Sequence, residues 1–230
     1  MATKATTTTT TSDTAAARSA VASDRGRDLM DWFQVNSRYV GAAAAVLAVA
    51  AAGYWFYLRS QQIKTINAER SLVQAEQSLQ SGNTALATSD LQRVATRYKG
   101  TAAGTEAALL LAQTQYNAGK YQDGVKVLEE VSGKAGSSEA SLQSLIGDGY
   151  SQLGKAADAA KAYERAADAS EFDTERAYYR AKAARSYTSA GNVNDAKRIW
   201  SQLATDEKAQ AVAAEARVRL AELNAKPAKS

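Results

Sequence analysis

Residues 151–159 read Ser151-Gln-Leu-Gly-Lys-Ala-Ala-Asp-Ala159, and three other stretches share the pattern: Leu79-Gln-Ser-Gly-Asn-Thr-Ala-Leu-Ala87, Tyr116-Asn-Ala-Gly-Lys-Tyr-Gln-Asp-Gly124 and Thr188-Ser-Ala-Gly-Asn-Val-Asn-Asp-Ala196. Their glycines, Gly82, Gly119, Gly154 and Gly191, are 37, 35 and 37 residues apart. A steady spacing of this size marks a chain built from stacked supersecondary units. Around each block Ala, Leu, Glu, Gln, Lys and Arg recur with the helical period of 3.6, and the glycine is placed to end one helix in a left-handed turn. A small residue follows five positions later (Ala87, Gly124, Ala159, Ala196), and a large apolar one four further on (Leu91, Leu128, Tyr163, Trp200). Three positions beyond stand Val94, Val131, Ala166 and Leu203, and a small residue precedes each glycine by seven (Ala75, Ala112, Gly147, Ala184). The pattern predicts helix pairs in which the small positions admit the large ones.

Spacing and block together resemble the tetratricopeptide repeat (TPR), a helix–turn–helix unit. The resemblance implies an all-α solenoid of about four degenerate helix pairs with a C-terminal cap helix. Two family features are missing. The aromatic four residues into the first helix is replaced by Ser71, Ala108, Gln143 and Arg180, and no proline closes any unit, since the chain's one proline is Pro227. The extra residues fall between units, at Thr101–Thr105, Gly136–Glu139 and Asp173–Glu175, where Ser, Thr or Asp is expected to cap the next helix. Repeats are expected near 68–101, 105–138, 140–173 and 177–205, with 206–224 as the solvated cap that solenoids need.

Upstream lies Tyr39–Leu58, YVGAAAAVLAVAAAGYWFYL, without charge or proline and as long in helical form as a bilayer's hydrocarbon core is thick. Val40, Val46, Leu47, Val49, Phe56 and Leu58 supply about −2 to −4 kcal/mol of insertion free energy, which one central Lys or Arg would cancel. Tyr54, Trp55 and Tyr57 at one end and Trp32, Phe33 and Tyr39 near the other resemble a double aromatic belt. A transmembrane helix over 39–58 is the expectation, and the preceding residues are too many for a signal peptide cut near Ala50. Residues 1–24, rich in Thr and Ala, are expected to be disordered, and 25–38 to form a juxtamembrane amphipathic segment through Leu29, Trp32 and Phe33. The repeat domain is expected over 59–224 and a disordered tail over 225–230.

Composition removes most chemistry. The 230 residues include neither Cys nor His, which excludes thiol nucleophiles, disulfides, Ser-His-Asp and Cys-His arrangements and the usual zinc sites. No phosphate-binding glycine loop is present. The adjacent acids Glu129-Glu130, Asp206-Glu207 and Glu171, Asp173, Glu175 are placed for capping and solvation. The expectation is a protein that is not an enzyme and uses no cofactor or metal. A net charge of +4, spread along the chain, gives a solvated surface and no nucleic-acid partner.

In the fold this sequence resembles, the first helix of each pair lines a groove. The same register places Glu69, Leu72, Glu76, Glu106, Leu109, Gln113, Tyr116, Asp148, Ser151, Tyr178 and Arg185 there. Mixed acidic, aromatic and aliphatic groups suit an extended peptide or a partner helix. The Lys/Asn clamp for a C-terminal carboxylate has no match, because its positions hold Leu109, Gln113, Ser144, Asp148 and Arg185. As ligand-facing groups, Asp148 and Arg185 are expected to tolerate charge reversal without loss of stability.

The order of parts resembles a further family. A tail carrying Asp31-Trp-Phe33 leads into one Gly/Ala-rich span ending Gly53-Tyr-Trp-Phe-Tyr57, then degenerate repeats, then an Ala216–Leu223 helix. This is similar to the YfgM-like ancillary SecYEG translocon subunits. The resemblance implies a single-pass bacterial inner-membrane protein with a cytoplasmic N-terminus and a periplasmic TPR domain. Its partners would be proteins, either translocon components or secreted clients, held in a chaperone-like way, with the lipid bilayer contacted through 39–58. The flanking charges (Arg25, Arg27 and Arg38 against Arg59, Lys64 and Arg70) do not decide the orientation. The alternative is a structural scaffold or accessory subunit of an envelope complex.

Overall fold

The computed structural model describes residues 32, 35 and 37–225. The expectations for residues 1–24, for most of 25–38 and for 226–230 lie outside the described residues. Those residues fall into two units, one up to Gln61 and one from Gln62. In the first unit runs helix α1, Ser37–Gln80, which continues into the second. It is long and apolar enough, by length and composition, to cross a membrane. Residues 41–60 are all exposed, the aromatic run Tyr54–Tyr57 included. The expected boundary at 58/59 falls inside this helix.

In the second unit α1 is followed by α2 (Thr84–Arg97), α3 (Ala102–Asn117), α4 (Tyr121–Val131), α5 (Glu139–Gln152), α6 (Ala156–Ala169), α7 (Asp173–Ser189), α8 (Val193–Thr205) and α9 (Gln210–Ala225). Single 3₁₀ turns at Gly136–Ser138 and Glu207–Ala209 precede α5 and α9, so α9 starts a turn later than the expected cap helix. No strand occurs among the described residues. Each helix from α2 onward packs on the next, and α3 also touches α5 and α7 touches α9. Together these contacts make an α-solenoid of successive antiparallel helices.

The glycine register does what the sequence demands. Gly82, Gly119, Gly154 and Gly191 have φ of 71–77°, a region costly for any residue with a Cβ. The small and large positions interlock as expected: Ala87, Ala159 and Ala196 are buried, as are Leu91, Leu128, Tyr163 and Trp200. The Tyr116 ring lies where a Cβ on Gly124 would sit. Two apolar clusters result. One runs from Ala68, Leu72 and Ala75 through Leu91, Val94 and Leu111 to Leu142 and Ile146. The other joins Ala159 and Tyr163 to Ala184, Ile199, Trp200 and Leu203.

The expected caps form at one loop of three. Thr101 accepts the Gly104 N–H at 3.1 Å, whereas Ser138 and Phe172, which precede α5 and α7, make no side-chain cap. Glu139, the first residue of α5, instead ties the preceding loop, its carboxylate accepting from the Gly133 and Ala135 backbone N–H groups at 2.9 and 3.4 Å. At α7 Asp173 turns to Arg176 and Lys208 instead.

Candidate functional site

The first helices α3, α5 and α7 present one continuous face to a cleft of about 310 Å³. Leu109 and Gln113, one turn apart on α3, form one wall; Ser141, Ser144, Leu145 and Asp148 of α5 form the floor, and Tyr179 of α7 the far side. Helical spacing puts these residues on one stripe of each helix. The cleft therefore has two leucines between polar rims, a surface that can hold apolar side chains while amides and hydroxyls meet a backbone.

Its charged centre is compensated from within. Asp148 Oδ1 accepts from the Tyr163 hydroxyl and from Lys182 Nζ, each at 2.6 Å. The Lys182 ammonium also lies 4.4 Å from the Tyr163 ring centre and 5.7 Å from that of Tyr178, and it approaches Ser144 Oγ at 3.4 Å. Burial, followed by the hydrogen bond to and the charge of Asp148, pushes the Tyr163 phenol far up, so it stays a donor. Burial likewise raises Tyr179.

The residues expected to line the groove divide into groups. Leu109, Gln113 and Asp148 come together in this cleft. Tyr116 stands beneath it, half-buried, donating its hydroxyl to the Leu145 carbonyl at 3.0 Å and so holding the floor of α5. Tyr178 is exposed beside Lys182, and Glu106 and Ser151 are exposed on α3 and α5. Arg185 does not join Asp148; it makes a two-pronged pair with Glu215 of α9 at 2.7 and 2.5 Å. On α1, Glu69 is exposed and Glu76 half-buried, but Leu72 is a correction. It is 8% exposed and belongs to the first core cluster, because it shares the helix face of Ala68 and Ala75.

Lys182, Ser141, Leu145 and Tyr179 escaped the sequence reading. Lys182 stands four residues after Tyr178 and three before Arg185, so the register taken one step further reaches it. Among the described residues no cluster of three or more Asp or Glu is placed to hold a metal.

Comparison with known proteins supplies the family context. The model of the tetratricopeptide repeat-like domain family matches residues 30–145 and again residues 70–183. No curated protein matches the sequence. Among solved structures, the crystal structure of the nearly identical TPR-like repeats of a chain described as a Podosopora anserina kinesin light chain is similar, as is that of a point variant of the same repeats. Each shows 18% identity over 69% of this chain and 90% of the other, with a TM-score of 0.48.

Proposed function

Because the chain belongs to the tetratricopeptide repeat-like domain family, whose repeats mediate protein–protein interaction, we propose that its second unit is a protein-binding module. Its groove takes an extended segment of a partner protein. The observation that carries this reading is the α3–α5–α7 cleft, where Leu109 and Leu145 stand between Gln113, Ser141 and Ser144 while the Asp148 charge is already matched by Lys182. Such a surface selects for apolar side chains with a polar backbone, not for a charged terminus.

The finer proposal adds an address. Residues 39–58 span a bacterial inner membrane with the N-terminus cytoplasmic and the repeats periplasmic, and the partner is a secreted or envelope protein near the translocon. Support comes from the charge-free apolar stretch, its aromatic flanks and the resemblance to YfgM-like subunits. A tether raises local concentration near the exit site, so weak groove contacts suffice for holding.

The test is site-specific photocrosslinking in native membranes. A crosslinker at Gln113 should capture proteins that one at Glu130, exposed on α4, does not. Equal capture from both positions removes the groove from the reading. A reporter fused after Ser230 tests the orientation separately.

A further inference from the structure

A second cleft, of about 550 Å³, opens between α6 and α8, the second helices of the third and fourth pairs. Lys161, Glu164, Arg165 and Asp168 of α6, Arg180 of α7 and Arg198 of α8 reach into it. Three other cations that reach between helices of this unit meet acids: Lys182 meets Asp148, Arg185 meets Glu215 and Lys208 meets Asp173. Here three do not. Glu164 is taken up by Arg198 at 3.0 Å and by the Tyr187 hydroxyl at 2.6 Å. Arg165 gives its Nε to the neutral Gln143 Oε1 at 2.8 Å, and among the described residues neither terminal nitrogen has a partner. Among the described residues Lys161 and Arg180 have neither a hydrogen bond nor an ion pair, and Asp168 is the lining carboxylate without a cation. Three unmatched cations face one unmatched carboxylate.

Gln143, which holds Arg165, is itself buried and tied to Ser132 and Glu139.

We propose that this cleft binds a phosphate-bearing anion. Two guanidinium groups from different helices offer planar forks that match phosphate oxygens in bidentate fashion, and Lys161 adds a point charge. The surplus of two positive charges suits a phosphate dianion or a pyrophosphate better than a lone carboxylate. The volume leaves room for the group that bears it. A soluble phosphate compound and a phospholipid headgroup share this chemistry. The site lies apart from the groove and does not depend on what the groove holds.

The experiment is calorimetric titration of the full chain in neutral detergent at low salt. The probes are pyrophosphate, short-chain phosphatidylglycerol below its micellar concentration, sulfate and a short poly-glutamate peptide. Saturable binding of either phosphate probe is expected. It should weaken about tenfold in Arg180→Gln, the loss of one charge-assisted contact, and tighten several-fold in Asp168→Asn, which leaves the repeats' own contacts intact. Pyrophosphate alone points to a soluble ligand and phosphatidylglycerol alone to a headgroup; either supports the site. Four results overturn it: no saturable binding, equal affinity for sulfate, tighter binding of poly-glutamate, or affinity unchanged in both variants.

Discussion

Lys182 of α7 holds Asp148 of α5 at 2.6 Å, across 34 residues of sequence. The pair sits at the centre of the groove, so its charges serve the fold before they serve a ligand. Lys182 is the more covered partner, 17% exposed against 44% for Asp148. A double-mutant cycle with Lys182→Met and Asp148→Asn should give a coupling of about 0.5–1 kcal/mol in thermal unfolding, the range of a partly exposed pair. Charge reversal at Asp148 should lower the melting temperature, contrary to the expectation from sequence. Zero coupling would separate the two residues.

Gly147 is held to glycine by Tyr163. A Cβ there would lie 2.5 Å from Tyr163 Cε1 and 2.7 Å from Cδ1. Gly147→Ala gains about 1 kcal/mol in helix propensity but overpacks a closed site at about 1–3 kcal/mol. A net loss is therefore expected. In a Tyr163→Leu background the ring is gone and the same change should stabilise by about 0.5–1 kcal/mol. Denaturant midpoints of the four proteins test the inversion of sign.

The repeat architecture was legible because its determinants are local. A left-handed turn selects glycine at Gly82, Gly119, Gly154 and Gly191, and burial follows the helical period at Leu91, Leu128, Tyr163 and Trp200. The groove was legible only where each helix face could be judged alone, as for Leu109 and Gln113. What joins helices was not: Lys182 meeting Asp148, or Arg185 turning to Glu215, depends on packing angles between elements 30 or more residues apart. Leu72 was misplaced although it shares the register of Leu109, each ten residues before its glycine: on α1 that position packs into the first cluster beside Ala68 and Ala75.

Trp200 is fully buried, and its Nε1–H finds no acceptor among the described residues. A buried donor left unsatisfied costs about 1–3 kcal/mol, which offsets much of what the ring contributes by packing. Trp200→Phe should accordingly lie within about 1 kcal/mol of the native chain, while Trp200→Ala should lose about 3–5 kcal/mol through the cavity it leaves. Equal losses for the two variants would mean the indole nitrogen is satisfied in solution.

Glu139 links stability to acid pH. Burial pulls its carboxyl upward, but hydrogen bonds from the Gln143 amide, the Gly133 and Ala135 N–H groups and the Ser132 hydroxyl outweigh this and hold it below the usual carboxylate range. A folded-state value below that of the unfolded chain gives stability that is complete above the unfolded pKa, about 4.3 for a glutamate. That stability drains as pH falls through the lower folded value. Glu139→Gln should lower stability by about 1 kcal/mol at pH 7, the loss of charge-assisted bonds discounted for solvent exposure. The gap from the native chain should close below pH ~4, as the native carboxyl also becomes neutral. Melting curves of both proteins between neutral and strongly acid pH measure it. A gap that stays constant over that range would assign the effect of Glu139 to shape instead of charge.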